Sequence, residues 1–298
     1  MISIGPFSIQ TLGVLAALTL AWITARVIAG RLPDVSRKSA GALLFDAVFW
    51  GVIAARLAYV IQWWEEYSAA PTSMLIISDG GFSWWAGVLA ALSFAWWRTR
   101  STPTLRPSVL AGILTGLVAW YSAGAMVGQL QSPPMPNLAL TTLNEQPISL
   151  QDYEGRPIVV NLWATWCPPC RREMPVFEQA QAEFPNVAIV LINQGESLQE
   201  IQDFLESEGL SLADVLLDPF SSAMQEIGAR ALPTTLFFNA QGRLVDSHIG
   251  EVTMARFKNA MARHFPQSAQ STEAAAIGSH LEPTAPLPTP VSTSTDKE

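Results

Sequence analysis

The chain contains two cysteines, Cys167 and Cys170, and they stand in a single Cys-Pro-Pro-Cys run. An apolar, β-branched stretch from Pro157 to Trp163 leads into the run, and Met174, Phe177, Ala180 and Phe184 follow it at helical spacing. A strand that hands over to a helix puts Cys167 at the helix N-terminus, where unpaired N–H groups and the helix dipole favour the thiolate, the form that attacks disulfides. Cys167 is therefore the expected nucleophile. Cys170 lies one turn along, within reach of a mixed disulfide formed at Cys167, and is the expected resolving thiol. Pro169 fits the first turn, where no amide donor is needed.

Two other uses of a cysteine pair fit less well. A structural zinc ion needs four ligands, and His248, His264 and His280 are not at ligand spacing from the cysteines or from one another. A structural staple across so small a loop would remove little entropy from the unfolded chain. No metal and no cofactor is expected.

The pattern from Val160 through Asn161, Leu162, Trp163, Ala164, Thr165 and Trp166 to Cys167-Pro168-Pro169-Cys170, with Leu232-Pro233-Thr234-Thr235 ahead of a later strand, resembles the TlpA/ResA branch of thioredoxin-fold proteins, the membrane-tethered disulfide reductases. The resemblance covers roughly Pro134 to Phe265. It implies that Glu173, three residues after Cys170, is the active-site glutamate that takes the proton of Cys170; the alternative is a solvated glutamate on the helix surface. Asn161 stands where thioredoxins proper carry a buried aspartate, and an asparagine cannot titrate. Pro233 matches the family's cis-proline, and Trp166, Leu232 and Pro233 are by the same resemblance the substrate-binding residues, Leu232 through its backbone.

Composition divides the chain. Of its 298 residues 49% are hydrophobic and only 14% charged, and the net charge is −8. Met1 to Gln131 holds eight Lys or Arg against five Asp or Glu, whereas Ser132 to Glu298 holds nine against twenty. An acidic second half without clustered cations excludes nucleic acid as a partner.

Four apolar runs occupy the first half: Ile9 to Gly30, Ala42 to Trp63, the shorter Gly81 to Trp97, and Pro107 to Leu130. At about 20 residues per bilayer crossing, they predict four transmembrane helices, the third having a buried core helix as its alternative. The first lacks a basic leader and is followed by further runs, so it is expected to be retained. Arg31, Arg37 and Lys38 lie between the first two runs and Arg98, Arg100 and Arg106 between the last two, while the middle connection carries only Glu65, Glu66 and Asp79. Basic loops stay in the cytoplasm, so both termini are expected outside, in a bacterium in the periplasm. Trp63, Trp64, Trp84, Trp85, Trp96 and Trp97 fit an interfacial aromatic belt.

Phe7, the stretch from Gly51 to Val60, which includes Arg56, and the stretch from Asp79 to Gly87 resemble the N-terminal part of prolipoprotein diacylglyceryl transferases. Where that family carries His-Gly, this chain has Trp85-Ala86, and Gly124 to Gly128 lacks the family's arginine and asparagine. A degenerate, truncated scaffold without transferase activity is expected. Asp46 and Arg56 are ten residues apart, about 15 Å along a helix at ~1.5 Å per residue, too far to pair with each other. Ionisable groups at such depth face a protein interior, a partner or lipid, and Arg56 has snorkelling as its alternative.

The expected domains are a four-helix transmembrane domain at 1–131, a proline-rich linker at 132–136, a thioredoxin-like α/β domain with an N-terminal β-hairpin at 137–265, and an unstructured Ser/Thr/Ala/Pro tail at 266–298. The hairpin is expected to turn at Asn144-Glu145, and helices over Leu198 to Glu208, Ser221 to Ala229 and Met254 to Phe265 alternate with strands from Val187, Asp214, Thr234 and Arg243. The expected activity is thiol-disulfide exchange on exported proteins, in the reducing direction. With no further cysteine, the chain needs a separate transmembrane electron donor. A thiol oxidase or isomerase is one alternative, and a module binding membrane lipid or lipoprotein with an accessory redox domain is the other.

Overall fold

The parallel strands and the helices around them meet along one edge of a mixed sheet, and that edge carries the cysteines. A computed structural model of the chain describes residues 3–4, 7–33, 35–130 and 133–267. Most of the expected tail, from residue 268 onward, and Ser132 of the expected linker lie outside the described residues.

The N-terminal half begins with a short antiparallel pair, β1 (Ser3–Ile4) and β2 (Phe7–Ser8), and continues as α1 (Ile9–Ala29). Ser36 caps α2 (Arg37–Gln62), so this helix starts five residues earlier than its apolar run at Ala42. The short α3 (Trp64–Ala69) and two 3₁₀ turns lead to α4 (Trp84–Arg98), and α5 (Arg106–Leu130) closes this half. Small residues let the helix backbones meet closely. A Cβ on Gly51 of α2 would stand 2.9 Å from the Gly87 carbonyl oxygen of α4, and one on Gly112 of α5 would stand 2.9 Å from that of Ala21 on α1.

Among the described residues three helices are long and apolar enough to cross a membrane, in the stretches Leu12–Ala29, Arg37–Gln62 and Pro103–Ala125. The third apolar run makes a helix of only 15 residues, because its first part is not helical. Gly81 is buried and outside the helix, and Ser83 donates its N–H to the Ala55 carbonyl at 3.0 Å. A Cβ on Gly81 would come within 2.4 Å of the Tyr59 ring, so the close approach requires glycine here.

In the C-terminal half, β3 (Ala139–Thr142) pairs antiparallel with β4 (Pro147–Ser149). Then follow β5 (Ile158–Trp163), α6 (Pro168–Glu183), β6 (Ala188–Gln194), α7 (Leu198–Glu208), β7 (Val215–Asp218), α8 (Ser222–Ile227), β8 (Thr234–Phe238), β9 (Leu244–Ile249) and α9 (Met254–His264). The sheet order is β4-β3-β7-β6-β5-β8-β9, with β5, β6 and β7 parallel and β8 antiparallel to β5. This is a thioredoxin-like α/β sheet. Buried on both faces, β5 and β6 read as continuous apolar runs. Val159 and Trp163 point to a core shared with α6, α7 and α9, while Ile158, Val160 and Leu162 point to one shared with α8 and the β3 side. By the same alternation Asn161 falls on the α6 face.

The proline stretch before β3 is bonded to the sheet. Met135 donates its N–H to the Gly242 carbonyl at 2.7 Å, and Leu244 donates to the Pro133 carbonyl at 3.1 Å. Proline lacks a donor but keeps its acceptor, so such a segment can lie along a strand edge.

Candidate active site

The parallel strands β5, β6 and β7 all end at one edge, and the residues that follow them form the rim of the site, as expected for a ligand crevice in a sheet of this kind. After β5 the chain turns through Ala164, Thr165 and Trp166 to Cys167, the N-cap of α6, with Pro168 and Pro169 as the first helical residues. The Cys170 N–H points at Cys167 Sγ at 3.4 Å, and the Cys167 carbonyl accepts the Arg171 N–H at 3.1 Å. The two cysteines form a disulfide. Cys170 is fully buried, Cys167 is 3% exposed, and Trp166 beside it is 68% exposed.

Glu173 sits one turn after Cys170 and is fully buried, so it is not a solvated surface residue. Its Oε1 accepts from the Asn161 side-chain amide at 2.8 Å and its Oε2 from the Val252 N–H at 2.9 Å. Burial pushes the carboxyl up to about 8 against the downward pull of these two hydrogen bonds, with Glu251 adding to the rise. Asn161 also donates to Thr235 Oγ1 on β8 at 3.0 Å, and its own Oδ1 has no partner. Just before it in the helix, Arg172 pairs with Glu251 at 2.6 Å.

Leu232-Pro233 is a cis peptide just before β8. The β5–β8 pairing runs out at Leu162 and Thr234, which puts Pro233 at the end of β8 where β5 hands the chain on towards Cys167. The structure thus brings Cys167, Cys170, Glu173, Trp166, Leu232 and Pro233 to one end of the sheet.

Glu196 is a member of this edge that sequence reasoning missed. It follows β6 and is nearly buried. Its carboxylate accepts the Thr165 N–H at 2.7 Å, the Thr165 hydroxyl, and the Asn193 amide at 2.6 Å, so it holds the turn that delivers Cys167. The available signal was an acid directly behind Gly195, whose φ of +78° turns the chain back from the strand end. Phe220, after β7, is 83% exposed at the same edge.

The ionisable residues of α2 separate. Asp46 is exposed on the outer face, because the helix turns Leu43, Leu44 and Ala47 inward; of the expected surroundings this rules out the protein interior and leaves a partner or lipid. Arg56 does not reach for an interface. It binds Asp79 Oδ1 at 2.8 Å and the carbonyls of Gly81, Met74 and Ile76 at 2.9, 3.1 and 3.1 Å.

Comparison with known proteins agrees with both halves of this description. Residues 132–247 match the AhpC/TSA family and residues 1–135 the prolipoprotein diacylglyceryl transferase family. The thiol-disulfide oxidoreductase ResA of Halalkalibacterium halodurans is 35% identical over 119 residues, 39% of this chain and 67% of that protein. The thioredoxin-like protein YneN of Bacillus subtilis is 31% identical over 156 residues, 48% of this chain and 91% of that one. Among solved structures, a thiol:disulfide interchange protein DsbE from Chlorobium tepidum, so described provisionally, aligns with a TM-score of 0.42 and 22% identity, covering 47% of this chain and 97% of its own. A DsbF homologue from Corynebacterium diphtheriae aligns with a TM-score of 0.41 and 26% identity, covering 45% and 88%. The sheet, the Cys-Pro-Pro-Cys edge and the two sequence relatives define a thioredoxin-like redox protein. The chain belongs to the ResA-related thiol-disulfide oxidoreductases, and its N-terminal region matches the prolipoprotein diacylglyceryl transferase model.

Proposed function

We propose that this oxidoreductase is anchored in the bacterial inner membrane with its dithiol in the periplasm, and that it reduces disulfides of exported proteins. The buried Glu173, one turn from Cys170 on the same helix, carries this reading. In the reduced enzyme the Cys167 thiolate attacks a substrate disulfide, forming a Cys167–substrate S–S bond and releasing one substrate thiolate. Cys170 gives its proton to the Glu173 carboxylate and attacks Cys167 Sγ, which breaks the mixed disulfide, releases the second substrate thiolate and leaves Cys167–Cys170 oxidised. Two electrons have passed from the dithiol to the substrate.

A carboxyl near 8 lies close to an ordinary thiol at about 8.5, so the proton moves between them with little driving force either way. The oxidised enzyme then holds Glu173 protonated. That proton returns to Cys170 when a separate transmembrane donor restores the dithiol. Trp166, Leu232 and Pro233 flank Cys167 as the substrate surface.

In this reading residues 1–131 form the membrane domain, 132–136 the connector, 137–265 the redox domain and 266–298 a tail. The basic residues of the α1–α2 and α4–α5 connections support four spans with both termini outside, and α4 with the Gly81 segment is the third of them. Titration of the full chain against glutathione tests the direction of electron flow. A reductase requires a potential well below that of an oxidant, and a value near −120 mV would make the protein a thiol oxidase.

A further inference from the structure

The transferase-like half keeps a buried polar cluster, and α9 of the redox domain covers it. Asp79 is fully buried. Besides Arg56 it receives the Tyr67 hydroxyl at 2.6 Å and the Gly81 N–H at 3.0 Å, and the Thr253 hydroxyl of the redox domain stands 3.4 Å from its Oδ2. Tyr59 on α2 donates its hydroxyl to the Ala255 carbonyl at 3.1 Å and accepts from the Asn259 amide at 3.3 Å. Ala255 is 1% exposed, packed with Tyr59 and Tyr67. Lys258 closes the rim between Glu66 of α3 at 2.7 Å and Glu183 of α6 at 2.8 Å.

We propose that the transferase-like half serves as a seat for the chain's own redox domain, with α9 and its N-cap Thr253 occupying the ground above the Arg56–Asp79 pair where an anionic lipid headgroup would otherwise gain access. Three features favour this occupant over a lipid. Arg56 is already neutralised by Asp79, and both its terminal nitrogens are spent on Asp79 and three carbonyls, so only its buried Nε–H is unpaired and no bidentate fork remains for a phosphate. The hydroxyls of Tyr59 and Tyr67 are engaged with the redox domain and with Asp79. The charges at the rim are complementary, a lysine of one half between a glutamate of each.

The seat also reaches the dithiol site. Thr253 rests on Asp79, and its neighbour Val252 donates to Glu173. The segment that ties the redox domain down is thus the one that holds the active-site carboxyl. A free redox domain on a flexible tether would sample all orientations, whereas a seated one presents the Trp166 edge in a fixed direction to the periplasm. The seat works the same whichever way electrons run.

The test uses the full chain in lipid nanodiscs, with Cys167→Ser and Cys170→Ser removing the native thiols. A single thiol introduced by Ala255→Cys is compared with one introduced at the exposed Gln202 by Gln202→Cys, each treated with N-ethylmaleimide. A seated domain shields position 255, whose alkylation is expected on the order of 10²-fold slower than at 202, limited by local opening. Glu66→Lys sets two like charges against each other and is expected to accelerate alkylation at 255 by at least about tenfold while leaving 202 unchanged. Tyr59→Phe, which removes the hydroxyl contacts to α9, is expected to act in the same direction. Swapping all three charges, with Glu66→Lys, Lys258→Glu and Glu183→Lys, is expected to restore protection. Equal rates at 255 and 202 in the otherwise unchanged chain would overturn the proposal, as would rates at 255 that ignore both Glu66→Lys and Tyr59→Phe.

Discussion

Asn161 gives an amide hydrogen to Glu173 at 2.8 Å, while its own carbonyl oxygen is buried without a partner. This pairing favours the carboxylate, to which the bond is charge-assisted, and still offers the protonated acid a partner. Against a carboxylate the NH2 end donates, as in the structure. Against a protonated carboxyl, a half-turn of the amide lets the free Oδ1 accept the acid's O–H. The Thr235 hydroxyl, bonded to the same Nδ2, can donate or accept, so it follows either orientation. An aspartate in place of Asn161 would titrate itself. Asparagine leaves Glu173 as the titrating group and keeps it supplied with a partner.

Asn161→Ala removes one of the two hydrogen bonds that stabilise the Glu173 carboxylate. A hydrogen bond to a charged group contributes about 1.5–3 kcal/mol, so the pKa of Glu173 is expected to rise further, by about one unit or more. The pH profile of mixed-disulfide resolution should move to higher pH by that amount. A profile that stays in place, measured from pH 5 to 10 by rapid quench, would remove Asn161 from the proton path.

The raised carboxyl also makes a stability statement. Unfolded, Glu173 titrates near 4.5, and in the oxidised fold near 8. Between those values the folded chain holds a proton that the unfolded chain has lost, so stability falls as pH rises through this window and levels off above it. The loss is at most about 5 kcal/mol, from some 3.5 pKa units at 1.36 kcal/mol each. Glu173→Gln should flatten this part of the curve, seen as a smaller drop in Tm between pH 5 and pH 8. Parallel curves for the two proteins would mean that the acid is ionised in the fold.

Cys167 and Cys170 are expected to differ in kind. Cys167→Ser should abolish disulfide reduction, whereas Cys170→Ser should accumulate mixed disulfides with substrates. In the reduced protein the thiol at the start of α6 should be the more acidic and the faster to alkylate. Faster alkylation of Cys170 would reverse the assignment.

Topology is open to a simple labelling experiment in the cysteine-free chain. A thiol introduced by Ser68→Cys, between α2 and α4, should react with an impermeant maleimide in intact spheroplasts, and one introduced by Ser36→Cys should not. The opposite pattern would place the dithiol in the cytoplasm.

What could be read from the residues alone was whatever repeats locally. The run from Pro157 to Trp163 gives a buried strand, the spacing of Met174, Phe177 and Ala180 gives the helix behind Cys170, and the alternation between them predicts the α/β sheet. Long-range partners left no such trace. Spacing along the helix excluded Asp46 as the partner of Arg56 but could not name the partner, which is Asp79, brought back by a loop that only Gly81 lets pass under Tyr59. Glu196 acts on the site through a carboxylate that a turn brings back to Thr165, and Val252 through its backbone N–H, neither of which residue spacing encodes. The prolines at 133–136 suggested a spacer because proline stiffens a chain, whereas Pro133 uses its free carbonyl to join β9.

The central claim is that Glu173 takes the proton of Cys170 when the mixed disulfide resolves. Glu173→Gln is the decisive substitution, although it is less conservative than it looks. Both carboxylate oxygens accept from N–H donors, so the amide keeps its bond to Val252 only by turning its NH2 towards Asn161, whose free Oδ1 is there to accept after the flip. With a preformed mixed disulfide at Cys167 followed by stopped flow at pH 7, the account predicts resolution slowed roughly 10²-fold, with the initial attack of Cys167 on substrate unchanged. A resolution rate equal to that of the unsubstituted chain would contradict it.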